Sequence, residues 1–132
     1  YEIKAYKRFF FRKKTLQKDI EKRLSQIISQ VSHYDPKSQL SEFNRLGLKE
    51  PLKLGHDFWN MLIFAEKLYN ESGGVWDPSS EPLVQAWGFS TSGTMIKPPS
   101  VPKINRARHQ VGFPNMTLYL DHRIEKREKN TQ

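Results

Sequence analysis

Residues 57–78, DFWNMLIFAEKLYNESGGVWDP, decide the architecture. Phe58, Met61, Leu62, Ala65, Leu68 and Tyr69 recur three or four places apart, which lays one apolar stripe along a helix opened by Asp57. Gly73-Gly74 then supplies the left-handed stop. A stripe of this width needs a sheet or another element to cover it.

Upstream the same period returns in Leu16, Ile20, Leu24, Ile27, Ile28 and Val31, which predicts an amphipathic helix capped by Thr15. Tyr34-Asp35-Pro36 ends it, because proline disfavours a helical residue before it and offers no amide hydrogen. Ser38 can cap a short helix carrying Leu40, Phe43 and Leu46, with Gly47 as its stop. Tyr1, Ile3 and Ala5 alternate with polar or exposed neighbours, the period of an opening strand. Downstream, Ser79-Ser80-Glu81 leads into Pro82, a residue favoured in a first helical turn, with Leu83, Val84 and Trp87 expected inward before Gly88. Residues 89–102 are a loop by composition, and Met116, Leu118 and Leu120 alternate as a late strand. The expected class is α+β, amphipathic helices packed on a sheet. Two strands are too few for a stable sheet, so the pattern is that of the front half of such a domain.

With 132 residues the chain has room for one modest core, and 36% apolar residues argue against wholesale disorder. No window approaches a membrane span, and no basic start leads into an apolar run with a cleavage site. The absence of cysteine excludes disulfides, thiolate metal sites and a cysteine nucleophile. The first residue is Tyr1, which points to a processed or excerpted product. Net charge is +8, and it resides at the ends: nine basic against three acidic residues in 1–23, and eight against three in 96–132. The run Tyr6-Lys7-Arg8-Phe9-Phe10-Phe11-Arg12-Lys13-Lys14 has the interleaving of a nucleic-acid or membrane-surface binder, but it equally suits a solvated strand end and turn. Residues 121–132 mix charges of both signs around one large aliphatic side chain and are expected to fray.

The histidines, His33, His56, His109 and His122, have no helical metal-ligand spacing, and phosphate-loop, dinucleotide and nucleophile-elbow motifs are absent. What remains is a middle section where Tyr34, Trp59, Trp76 and Trp87 alternate with loop formers Asp35, Asn44, Gly74, Asp77 and Gly88. Such material either packs a core or sandwiches a flat heterocycle; pattern alone leaves both open.

Two segments carry a resemblance. Ser32-His33-Tyr34-Asp35-Pro36-Lys37-Ser38-Gln39-Leu40-Ser41-Glu42-Phe43-Asn44 resembles the S-x-Y-D-P-x-S-x-[IL]-S-x-[IL]-N signature of the ApbE-type FAD:protein FMN transferase family. Ser72-Gly73-Gly74-Val75-Trp76-Asp77-Pro78, then Glu81-Pro82-Leu83-Val84 and Trp87-Gly88-Phe89, is similar to that family's T-[DG]-G-x-[FL]-D-[PI]-T-x-x-P-L-[VM]-x-x-W-G-F block. The resemblance implies an enzyme that moves the FMN half of FAD onto a threonine hydroxyl of a target flavoprotein, releasing AMP with Mg2+ assistance. It assigns Tyr34, Val75, Trp76 and Asp77 to the FAD site, and Asn44 to holding the pocket loop. Each has a structural alternative: packing for Tyr34 and Trp76, a helix-end hydrogen bond for Asn44, a cap or turn for Asp77.

The family's later D-[LF]-[GS]-[GA]-[IY]-[AG]-K-G segment is absent, as are the aspartate and threonine that help to bind Mg2+. The resemblance therefore assigns residues 1–120 to the N-terminal portion of a transferase domain, places no catalytic or metal-binding residue in the chain, and implies that the chain alone is inactive. Ser92-Gly93-Thr94 has the small residues of a flavin acceptor, but Phe89 stands where an aspartate is expected. Nucleic acid is not an expected partner. Family habit implies export to the periplasm or a membrane anchor through a preceding segment, although no signal is visible. The rival readings are a non-catalytic flavin-binding or regulatory module and a basic surface binder.

Overall fold

The computed structural model describes residues 2–4, 13–89, 98–128 and 131. In chain order these form α1 (Lys13–Val31), α2 (Gln39–Arg45), β1 (Leu52–Lys53), α3 (His56–Glu71), α4 (Glu81–Ala86), α5 (Val101–Arg108), a 3-10 turn (Phe113–Asn115), β2 (Met116–Tyr119) and β3 (Arg123–Lys126). The class is α+β, as expected. The sheet is antiparallel with order β1-β3-β2, in which Ile124 lies opposite both Leu52 and Leu118.

The central strand lies in the segment expected to fray. Residues 121–132 are not simply a charged tail: β3 alternates, sending Ile124 and Lys126 inward, and Ile124 is 0% exposed. A three-residue turn joins β2 to β3, with His122 in the left-handed region at φ 66° and its amide bonded to the Tyr119 carbonyl at 2.9 Å. Phe43 of α2, Leu54, Phe58, Trp59, Leu62 and Ala65 of α3, Phe113 and Met116 join Ile124 in one core, so α3 covers the sheet.

Several boundaries differ from expectation. Thr15 is not a cap, since α1 already includes Lys13. Gly47 does not stop α2; the helix ends at Leu46 in extended backbone, whereas Ser38 caps the other end as expected, its hydroxyl accepting from the Ser41 amide. Gly55, not Asp57, occupies the cap position of α3, and the work of capping is done by neighbouring helices: Gln30 Oε1 accepts from the Phe58 amide. Gly73 and Gly74 take φ of 62° and 81°, the left-handed exit that only glycine enters at little cost. In α4 the inward positions are Pro82 and Ala86, four apart, which leaves Trp87 half exposed beyond the end of a six-residue helix. The loop expected through Pro102 ends earlier, at α5, whose first turn contains Pro102 and whose last turn carries Arg106 and Arg108 against the helix dipole. Residues 2–4 take no regular structure; the remainder of the expected opening strand, the run 5–12 and Ser92-Gly93-Thr94 lie outside the described residues.

Asp57, released from capping, joins α3 to α1. Its carboxylate accepts from both ends of the Arg23 guanidinium, at 2.6 and 2.5 Å. Hydrogen bonding from Arg23 holds the Asp57 carboxyl below the ordinary carboxylate range. A carboxyl depressed on folding adds stability above its unfolded pKa, about 3.9, and loses it as pH falls through the folded value. Asp57→Asn is therefore expected to lower the urea midpoint at pH 7, with the gap to wild type closing as pH drops below about 4. A gap that persists unchanged at pH 2 would contradict this coupling.

Candidate functional site

A cavity of about 380 Å³ opens between α1, α2, α3 and the turn after α3. That lies within the range of small-molecule sites, about 300–1,000 Å³. Its walls come from Val31, Phe43, Met61, Phe64, Leu68 and Trp76 among others, and Ser79 is the one polar residue lining it. The sequence logic is local. Leu62 and Ala65 serve both the core and the cavity wall, and Met61, Phe64 and Leu68, at i, i+3 and i+7, extend that wall along the flank of α3. The glycine exit at residues 73 and 74 then turns the chain and brings Trp76 to the cavity rim, 44% exposed.

The expected site residues distribute unevenly around this space. Trp76 lines it directly. Its backbone amide donates to Ser72 Oγ at 3.0 Å, which fixes the turn that carries the indole. Val75 is 90% exposed and Tyr34 72% exposed, its ring 3.7 Å from that of His33. Neither Val75 nor Tyr34 is among the lining residues, although Val31, three places before Tyr34, is. Asn44 follows Phe43, a wall residue, and its Oδ1 is buried without a hydrogen-bond partner among the described residues. Asp77 is engaged within the protein: Oδ1 accepts from the Ser79 amide at 2.8 Å and hydroxyl at 2.6 Å, and Oδ2 from the Phe113 amide at 3.1 Å. That is the turn-forming alternative, extended by a clip to the 3-10 turn.

Sequence reasoning missed Ser79 as a junction. Buried to 1%, it passes Asp77's hydrogen bonding on by accepting from the Gly112 amide at 2.7 Å. An aspartate two places before a serine is the visible signal of such a turn, but Gly112 and Phe113 are more than thirty residues away and no local pattern links them.

The lining fits a flat apolar ring and not a polyphosphate. Aromatic and aliphatic side chains surround the space, and no Lys or Arg is among them. Among the described residues there is no group of three or more His, Asp or Glu placed to hold a metal ion. Among the described residues the cavity thus presents an almost wholly apolar wall.

A family model described as the ApbE family matches residues 1–132. The FAD:protein FMN transferase of Vibrio cholerae serotype O1 is 30% identical over 105 residues, covering 80% of this chain and 31% of that protein. The Haemophilus influenzae protein of the same name is 29% identical over 101 residues, covering 76% and 29%. Among solved structures, the apo form of the Pseudomonas stutzeri flavinyl transferase ApbE superposes with a TM-score of 0.80 at 28% identity, over 88% of this chain and 36% of that one. The flavin transferase ApbE of Vibrio cholerae gives 0.87 at 25% identity, over 96% and 40%. The chain spans about a third of the length of the curated relatives it matches.

Proposed function

The chain belongs to the ApbE family, and from that premise we propose that it supplies the flavin-ring wall of an FAD:protein FMN transferase. The observation that carries this reading is the apolar cavity rimmed by Trp76, which has the size and lining that a planar heterocycle requires. In the reaction proposed for the whole protein, a threonine hydroxyl of a target flavoprotein attacks the FMN phosphorus of FAD; the new O–P bond replaces the pyrophosphate linkage and AMP leaves. Mg2+, when bound, would offset charge on the pyrophosphate oxygens.

The described residues bind and orient rather than react. Trp76 offers an aromatic side chain, Phe43, Phe64 and Leu68 line the same apolar space, and Asn44, next to Phe43, holds an unused acceptor. Tyr34 and Val75, both exposed, are assigned in this proposal to contact with the bound ring rather than to the core. Asp77 acts through the turn it stabilises. Proton removal from the acceptor, phosphate binding and metal binding are assigned in this proposal to residues other than those lining the cavity. Export and membrane attachment stay part of the proposal through the family alone.

The test joins residues 1–132 to the part of the Vibrio cholerae transferase that the chain does not match. FAD is expected to quench tryptophan fluorescence saturably in this chimera, and weakly or not at all in the 132-residue chain. Equal behaviour of the two would remove the shared-pocket reading. Binding that weakens steeply with salt would instead favour a basic phosphate-backbone or anionic-surface binder.

A further inference from the structure

Lys126 occupies an inward position of the central strand, two residues after Ile124, and is 3% exposed. Lysine is almost never buried to this extent without a partner. Among the described residues no carboxylate pairs with it. Its Nζ donates instead to the backbone carbonyl of Asn44 at 2.9 Å, and stands 5.2 Å from the centre of the Phe43 ring. These are successive residues in the last turn of α2, where unpaired carbonyls and the negative end of the helix dipole favour a cation. Burial pushes the Lys126 pKa down. The strand is locked in turn by the Lys49 amide, which donates to the Lys126 carbonyl at 3.1 Å.

Phe43 is a wall of the cavity, and Asn44 carries the buried acceptor that the fold leaves unused. Buried polar atoms are ordinarily satisfied, so a carboxamide held in place without a donor marks a position maintained for something other than the fold. We propose that Lys126 is a positioning residue for the flavin site: its ammonium fixes the end of α2, and so sets Phe43 and Asn44 against the ring cavity. This rests on the flavin reading above for its ligand, though not for its geometry.

Lys126→Met keeps the length and apolar stem and removes the donor. A buried cation without an ion-pair partner is often replaced by an apolar residue at little cost, so the variant is expected to fold with a thermal midpoint within a few degrees of wild type. In the 132-residue chain, the side-chain 1H–15N signals of Asn44 are expected to move toward random-coil positions. In the chimera, FAD affinity is expected to fall about tenfold in Lys126→Met, about 1.4 kcal/mol, and less than twofold further when the same change is made on Asn44→Ala. Unmoved Asn44 signals, or losses of affinity that simply add, would overturn the proposal. Should the methionine variant unfold, Lys126→Gln, which keeps a shorter donor, is read in the same two ways. A wild-type chimera that binds no FAD defeats the flavin reading, and the Asn44 signals then decide the positioning claim by themselves.

Discussion

Ile124→Ala is expected to lower stability by about 3–4 kcal/mol, within the range of about 2–5 kcal/mol seen when a buried isoleucine or leucine is cut to alanine. The expectation follows from position rather than size alone. Ile124 is fully buried in the central strand, facing Leu52 on one side and Leu118 on the other, beneath α3. The neighbouring strands are held to β3 by backbone hydrogen bonds and Phe58 and Leu62 belong to a helix, so the space left by the missing side chain closes little and adds to the cavity beside it. Urea unfolding of the variant measures the effect. A loss below about 1 kcal/mol would mean that β3 is not the centre of the sheet, since transfer of the missing methylenes alone is worth about 0.8 kcal/mol each.

Trp76→Ala is the second large effect, and it acts on binding. The indole is 44% exposed, so rather more than half of its surface is covered, and the thermal midpoint is expected to fall by several degrees while the chain stays folded. Loss of a stacked aromatic face costs about 1–3 kcal/mol of binding, or about 5- to 150-fold in affinity. FAD titration of the chimera, followed by flavin fluorescence so that the missing tryptophan does not remove the signal, is expected to show that loss. Unchanged affinity would take Trp76 out of the ring wall.

The two residues show what was legible in the chain and what was not. Trp76 follows a long periodic helix and a double glycine, features that act within a few residues of one another, so its turn could be placed from sequence. Ile124 stands between Arg123 and Glu125 in a run of charges, and its burial depends on pairing with β1, seventy residues earlier. One aliphatic side chain gives no detectable alternation. A central strand supported on both sides needs only one inward apolar residue if its other inward position, Lys126, finds a carbonyl and an aromatic face.

The same contrast runs through the helices. α1 and α3 have stripes long enough to declare themselves, whereas α5 buries only Ala107 and is specified mainly by its terminal residues. Caps were misplaced where a neighbouring helix does the capping: Gln30 serves α3 from α1, and sequence offers no sign of it. Of the candidate site, Trp76 and the turn around Asp77 were readable because their partners are partly local. The cavity was not, since it exists only where α2 and α3 are brought together beside that turn.

A crystal structure of the chimera with FAD is expected to show the isoalloxazine ring in the cavity beside Trp76. The ring is expected within about 4 Å of the Trp76 indole and against Phe43 and Phe64, with the phosphates leaving toward residues supplied by the Vibrio cholerae portion. A flavin bound on the far side of the sheet, with the cavity filled by polypeptide from that portion, would contradict it.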